Sequence, residues 1–314
     1  MEHFKLIHPE ILSSKVGPLP WRASIKSISQ INPIGSMISE DESRYLYWIA
    51  KEYFTNCGVI IDAGPLAGGS TYALALGLAE GQCKPSAPLI HSYDMWEFWE
   101  DWGRFFPGKS FRHLEDISDA FLENLGSLSR FVTPHKGDIC KAIWDGSPIE
   151  ILFVDVAKSP ETMERIVNEF YPALIPGHSI VIHQDFVSAE CPWIHVTQEY
   201  LSSYFELVDS PDDSSVCFRL IRKIPKGVLG ANFYNSLSTT LGDELMFSAA
   251  SHLKGWYKLC VLAARANFHI CRGNVDLGLE MLDEIVHSPD YNVAVDYDVL
   301  LVKRAITSAL SSHF

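Results

Sequence analysis

Five short apolar runs alternate with helix-like stretches between residues 59 and 182, and this alternation restricts the possible folds more than any other feature of the sequence. Each run is largely continuous, as expected for a strand buried on both faces of a parallel sheet. The order of strands and helices predicts an α/β fold with a doubly wound, mostly parallel sheet. The runs lie at 59–61, 89–93, 130–132, 151–154 and 179–182, and the helical stretches between them at 71–80, 117–128 and 161–174.

A different pair of strands is predicted farther along the chain. The candidates at 205–208 and 216–224 are joined by the polar turn 210–215. So short a connection makes the two strands antiparallel.

Beyond residue 240 the apolar residues follow a helical period only. This pattern predicts one long helix at 245–271 and two further helices at 275–286 and 295–310. The parts of the chain are then an N-terminal arm (1–38), an α/β domain (39–225), a linker (226–240) and a helical extension (241–314).

Composition excludes several classes of protein. Hydrophobic residues make up 47% of the 314 residues, so the chain is not disordered throughout. Its formal net charge of −14 disfavours nucleic acids and anionic membranes as partners, because polyanions need a basic surface. No apolar run approaches the roughly 18 residues of a membrane helix, and we expect no signal peptide at the start of the chain. Seven irregularly spaced cysteines without a CxxC pair predict reduced thiols, a cytoplasmic protein and no zinc site.

The segment 59–71 carries the strongest functional signal. A predicted strand ends at Asp62, a turn containing Gly64 and Gly68 follows, and a helix begins at Ser70. Glycines let the backbone pass close to a ligand, and the first turn of a helix offers unpaired N–H groups. Asp62 would repel a pyrophosphate but suits the cationic amino acid end of S-adenosylmethionine, and the spacing departs from the G-x-G-x-x-G of NAD-dependent enzymes. The alternative is a tight turn that binds no ligand.

Further acidic residues follow the next two predicted strands. Asp94 comes directly after the second strand, where an acid can hold two ribose hydroxyls. Asp138 follows the third strand and is a candidate neighbour of an adenine amino group. The alternative for each of them is a solvated or purely structural acid at the end of a strand.

Polar residues also follow the fourth and fifth strands. Asp155, with Asp185 and the amide oxygen of Gln184, would form an all-oxygen set suited to Mg²⁺, and the alternative is helix capping. Asp155 and His183 are the two candidates for a catalytic general base. Because the carboxyl ends of parallel strands meet at one edge of a sheet, we expect all these residues to line one crevice.

Together these features resemble the class I S-adenosylmethionine-dependent methyltransferases, in particular the macrocin O-methyltransferase and cephalosporin-hydroxylase-like type. The resemblance rests on IIDAGPLAGGSTYALA (60–75), SYDMW (92–96) and the stretch 151–186, and covers about residues 40–224. It implies a Rossmann-like sheet of seven strands with the last strand antiparallel, and makes 39–225 the S-adenosylmethionine-binding domain. It implies cofactor contacts at Asp62, Gly64, Gly68, Ser70, Asp94 and Asp138.

The resemblance also implies a reaction and a metal. In sugar-modifying members, Mg²⁺ is held by residues that correspond to Asp155, Gln184 and Asp185. The implied reaction is O-methylation of a hydroxyl on a sugar or a glycosylated small molecule. Two departures are visible, since Gln184 replaces a carboxylate and Lys158 stands where some members have a histidine. They motivate the alternative of a non-catalytic cofactor-binding or assembly protein with the same fold.

The helical extension lies outside this resemblance. Leu259, Leu262, Ala266 and Ile270 form an apolar face that would be a large exposed patch if it were left uncovered. We therefore expect the extension to pack on the α/β domain or to join two subunits in a homo-oligomer.

Overall fold

A computed structural model describes residue 21 and residues 28–31, 33–82, 87–211 and 214–311. Most of the predicted N-terminal arm, 1–38, lies outside these residues. No helix in the described ranges is both long enough and apolar enough to cross a membrane.

Seven strands of the described chain form a single sheet in the order β3-β2-β1-β4-β5-β7-β6. The first five strands are parallel to one another, and β7 is antiparallel to both of its neighbours. This arrangement confirms the predicted α/β class and the antiparallel last strand. The strands are β1 (Val59–Ala63), β2 (Ile90–Asp94), β3 (Val132–Lys136), β4 (Ile149–Val154), β5 (Ile180–His183), β6 (Phe205–Asp209) and β7 (Val216–Leu220).

Helices cover both faces of this sheet. The helix that follows Ser39 begins at a capping box, in which Ser39 Oγ accepts from Glu42 N at 3.1 Å and Glu42 Oε2 accepts from Ser39 N at 2.8 Å. The helices up to the end of the α/β domain are α1 (Ile28–Ile31), α2 (Glu40–Trp48), α3 (Gly69–Glu80), α4 (Ser118–Leu125), α5 (Pro160–Glu169) and α6 (Pro192–Tyr200).

The continuous apolar runs are explained by burial on both faces. All six residues of β4 are buried. Leu152 belongs to the core under α5 and α6, whereas Ile151 and Phe153 belong to the core under α2, α3 and α4. Since neighbouring side chains of a strand point to opposite faces, a strand covered by helices on both sides is apolar at consecutive positions, as β4 is at 151–154. Glu150, near the amino end of β4, is a buried exception.

The helical extension differs from its prediction in one respect. The predicted helix 245–271 is two helices, α8 (Thr239–Ser251) and α9 (Gly255–Cys271), and residues 252–254 separate them. Gly255 has a φ of +57°, which redirects the chain while the apolar period continues across the break. The predicted linker, 226–240, contains α7 (Phe233–Ser236), and the last helices are α10 (Val275–Val286) and α11 (Val293–Ser311).

The extension packs on the α/β domain. Helix α8 lies against α6, and buried residues of α8 and α9 belong to the same apolar core as β4 and β5. Two hydrogen bonds add to this contact, from Asn267 Nδ2 to the carbonyl of Ala189 at 2.9 Å and from Ala189 N to Asp298 Oδ1 at 3.1 Å. The apolar face predicted from the sequence is therefore covered within one chain, at least in part.

Candidate functional site

The turn after β1 needs its glycines because other parts of the protein come close. Gly64 has a φ of +97°, and a Cβ added there would lie 2.5 Å from the carbonyl oxygen of Asp155. Gly68 has a φ of +104°, and its Cβ would lie 3.2 Å from the ring of Phe121. Both glycines thus let the turn pack closely, Gly64 against the residue after β4 and Gly68 against α4. Their contact with a cofactor stays a prediction.

Asp62 faces the start of α3. It is fully buried, and its carboxylate accepts hydrogen bonds from Ser70 Oγ at 2.9 Å and Thr71 Oγ1 at 2.5 Å. Burial raises the pKa of Asp62 to about 7, although these two hydrogen bonds act in the opposite direction. This geometry argues against the predicted direct contact with a cationic ligand and makes Asp62 the residue that holds the turn to the helix.

The carboxylate of Asp94, at the end of β2, is hydrogen-bonded to the glycine turn. Its two oxygens accept from Leu66 N at 2.9 Å and from Trp96 N at 2.8 Å, and Trp96 Nε1 donates to the carbonyl of Leu66 at 3.0 Å. Burial raises the pKa of Asp94. Each carboxylate oxygen has a second lone pair, so the predicted bonds to ribose remain compatible with this arrangement. Neither Leu66 nor Trp96 was predicted, because nothing in the local sequence indicates their partners.

Asp138 lies next to Asp94 along the sheet edge. The amide of Gly137 donates to the carbonyl of Asp94 at 2.8 Å, and Asp138 Oδ1 accepts from Cys140 N at 2.9 Å. The second carboxylate oxygen of Asp138 is 3.7 Å from Lys141 Nζ. Three of the predicted strand-end acids, those of β1, β2 and β3, therefore lie along one edge, as expected.

A lysine joins the acids that follow β4 and β5. Lys158 Nζ donates to Asp155 Oδ1 at 3.0 Å and also to Asp185 Oδ2. With its amide nitrogen turned toward the carboxylates, Gln184 donates to Asp185 Oδ1 at 3.0 Å and to Asp155 Oδ1 at 3.1 Å. Partial burial lowers the pKa of Lys158, but the two carboxylates outweigh this effect and raise the pKa above its ordinary value.

This network does not fit the predicted Mg²⁺ site. The set needs three oxygen ligands that converge on a space for the ion. Here the ammonium group of Lys158 lies between the two carboxylates, and the side chain of Gln184 makes its hydrogen bonds to them through nitrogen. The predicted ligands Asp155, Gln184 and Asp185 are together, as expected, but the ammonium group of Lys158 already bonds both carboxylates.

His183 lies away from the crevice. It is fully buried at the end of β5, and its Nε2 is 2.8 Å from the hydroxyl of Tyr171. Burial lowers the pKa of His183 to about 3, so the ring is neutral. This environment argues against the predicted role of His183 as a general base, because the side chain does not reach the sheet edge where the acids lie.

A small cleft lies beside the glycine turn. Residues 35–38, which precede α2, form one wall, and the turn and the carboxyl end of β4 form the others. The side chain of Asp155 is 10% exposed, so little of it is open to solvent. The lining residues are Gly35, Ser36, Met37, Ile38, Gly64, Pro65, Leu66, Ala67, Gly69, Ser70 and Asp155.

The sheet order, with β7 alone antiparallel and a glycine turn after β1, is the arrangement that the resemblance to class I methyltransferases implies. The chain has a Rossmann-like methyltransferase fold. No family model matches the sequence, and no curated protein matches it.

Solved structures show what the chain is similar to. CalS11, a TDP-rhamnose 3′-O-methyltransferase of calicheamicin biosynthesis, is 18% identical over 56% of this chain and 76% of its own, with a TM-score of 0.42. The SAH-bound methyltransferase PaMTH1 of Podospora anserina is 14% identical over 59% and 80%, with a TM-score of 0.38. A protein of the NADB-Rossmann superfamily from Streptococcus agalactiae is 12% identical over 86% and 99%, with a TM-score of 0.40. These values are too low for the similarity to bear on activity or substrate.

Proposed function

We propose that the chain is an S-adenosylmethionine-dependent O-methyltransferase that acts on a hydroxyl of a sugar or a glycosylated small molecule. The observation that carries this proposal is the cleft at the glycine turn, which Asp155 lines. Two acids, Asp155 and Asp185, share the single ammonium group of Lys158, so this side of the cleft opposes a pyrophosphate and favours a cofactor with a cationic end.

The residues of the turn fit the amino acid end of this cofactor. Gly69 and Ser70 begin α3, a helix of 12 residues whose first N–H groups are available to a carboxylate. Asp155, across the same cleft, has the charge to bind an ammonium or sulfonium group. Asp94 would hold the ribose through its remaining lone pairs. When bound, the cofactor supplies an electrophilic methyl group.

In this reaction, an acid beside the cleft takes the proton of the acceptor hydroxyl. Burial raises the pKa of Asp155, and the ammonium group of Lys158 acts in the opposite direction, so this carboxyl group is a stronger base than an exposed one. Lys158 also fixes the orientation of Asp155 against Asp185. Asp155 is therefore the candidate general base, and no step depends on Mg²⁺.

An exposed aromatic group supports a sugar as the acceptor. Trp99 follows β2 at the same sheet edge, and 50% of its surface is exposed. The ring of His113 meets it edge-on at 5.0 Å and is held by Glu100 at 3.1 Å. Aromatic faces pack well against the apolar faces of sugar rings, while the neighbouring polar groups can bond hydroxyls.

Calorimetry tests the cofactor assignment. We expect the full chain to bind S-adenosylmethionine and its demethylated product, and not NAD. Asp155→Asn replaces an acid that lines the cleft with a neutral residue and should weaken binding of the cationic form about tenfold, which corresponds to about 1.4 kcal/mol. Asp185→Asn is the matched control, because Asp185 bonds the same lysine but does not line the cleft. Binding of NAD alone, or equal effects of the two variants, would contradict the proposal.

A second candidate is a non-catalytic cofactor-binding or assembly protein. Two observations favour it. Lys158 already donates a hydrogen bond to Asp155, and two backbone amides already donate to the carboxylate of Asp94. Methyl transfer from labelled cofactor to a panel of sugar nucleotides and glycosylated small molecules separates the two functions. Turnover that is lost in Asp155→Asn supports the enzyme, and tight cofactor binding without transfer to any member of the panel supports the second candidate.

A further inference from the structure

Three potential metal ligands meet at the sheet edge opposite to the glycine turn. Cys57 precedes β1, Glu150 is the second residue of β4, and His178 precedes β5. The amino ends of these three parallel strands are neighbours in the sheet, because β1 pairs with β4 and β4 pairs with β5. The cluster is therefore separate from the crevice at the carboxyl ends of the strands.

The ligand atoms of these side chains are close enough to share one ion. One atom from each residue, the thiol sulfur, an imidazole nitrogen and a carboxylate oxygen, lies within 4.8 Å of the other two. His178 Nε2 is 2.7 Å from Glu150 Oε1. Glu150 is fully buried, while Cys57 and His178 are half-buried, so a small ion could enter from one side.

Neighbouring groups hold the cluster in place. Glu150 Oε1 accepts from the backbone N–H of Thr55 at 2.5 Å and from its hydroxyl at 2.9 Å, and Glu150 Oε2 accepts from Cys57 N at 3.0 Å. The ring of Tyr53 stacks on His178 with centroids 5.1 Å apart and an angle of 14° between the planes. Metal sites depend on such outer hydrogen bonds and packing, which orient the ligands before the ion arrives.

We infer that Cys57, Glu150 and His178 form a binding site for Zn²⁺. A thiolate, an imidazole and a carboxylate are the three ligand types that zinc accepts at tetrahedral sites. Three protein ligands leave the fourth position to water, as in zinc sites that stay open. An ion pair between Glu150 and His178 accounts for two of the residues, whereas a metal site also accounts for the half-buried thiol sulfur of Cys57 within 4.8 Å of both.

Cobalt and zinc binding by the full chain test this inference. After treatment with a chelator, the protein should bind one equivalent of Zn²⁺. Co²⁺ in its place should produce a thiolate-to-metal charge-transfer band and the strong visible absorption of tetrahedral coordination. Cys57→Ser should remove the charge-transfer band and weaken zinc binding at least about 100-fold, the upper end of what loss of an outer-sphere partner alone causes.

Cys140→Ser is the matched control, because Cys140 is also a half-buried free thiol but lies beside Thr162 at 3.6 Å. It should leave both readouts unchanged. A second measurement covers the case of a poorly folded variant: Zn²⁺ should raise the thermal unfolding midpoint of the wild type but not of Cys57→Ser. A wild-type Co²⁺ complex without a thiolate band, or equal zinc affinity in the wild type and Cys57→Ser, would overturn the inference.

Discussion

The ammonium group of Lys158 lies between the carboxylates of Asp155 and Asp185 and so joins the loop after β4 to the loop after β5. Both carboxylates are mostly buried, with 10% and 17% of their side chains exposed. Two acids this close repel each other unless a cation lies between them. A lysine of the chain takes the position that a divalent ion would need.

Replacing Lys158 should make the stability of the protein depend on a bound metal ion. We expect Lys158→Met to lower the free energy of unfolding by about 1–3 kcal/mol, because the charged hydrogen bonds to two carboxylates are lost. Millimolar Mg²⁺ should recover part of this loss in the variant and leave the wild type unchanged, and EDTA should not affect the wild type. Thermal unfolding with and without Mg²⁺ measures both effects. Stabilisation of the wild type by Mg²⁺ would contradict this account.

Two glycines with similar backbone angles should differ in their tolerance of a side chain. Gly64 and Gly137 have φ values of +97° and +130°, but only Gly64 has protein atoms within 4 Å of an added Cβ. Gly137→Ala should cost about 1–2 kcal/mol for the backbone angle alone. Gly64→Ala should cost about 1–3 kcal/mol more, because the methyl group meets the backbone at Asp155. Chemical denaturation provides the comparison, and equal costs would show that the close approach is unimportant.

The buried Asp62 should make stability depend on pH. Its pKa is about 7 in the folded protein, compared with an ordinary value of 3.8. Between these values the folded state holds a proton that the unfolded state has lost, so stability falls as pH rises from about 4 to about 7. The slope is about 1.4 kcal/mol per pH unit. Asp62→Asn lacks this group and should lose that part of the slope. Identical pH profiles of the free energy of unfolding would argue against a buried, protonated Asp62.

Removal of the helical extension should expose the surface it covers. A chain truncated after Thr240 loses α8, which packs on α6, and loses the hydrogen bonds from Asn267 and Asp298 to Ala189. We expect this chain to aggregate or to change its oligomeric state, because the exposed patch is apolar. Light scattering measures particle mass for both forms. A soluble truncated chain with the mass per particle and stability of the α/β domain unchanged would refute the prediction.

Much of the architecture could be predicted because its signals are local. A strand such as β4, covered by helices on both faces, carries a continuous apolar run, here 151–154, and such a run is visible in any short window. The capping box at Ser39 and the turn at Gly64 are likewise encoded within a few residues. By contrast, the break between α8 and α9 was missed, because the apolar period continues through residues 252–254 while the backbone does not.

The sequence alone therefore determined the order and kind of the main elements and the edge at which the strand-end acids gather. Only the tertiary structure decided what each acid does, because a partner is set by strand register and loop packing over long separations. Asp94 binds an amide 28 residues away, and Asp185 binds a lysine 27 residues away. The same holds for the cluster at the opposite edge, where Glu150 meets Cys57 across 93 residues and His178 across 28. No spacing along the chain encodes such a set, because parallel strands bring together residues that lie far apart in sequence.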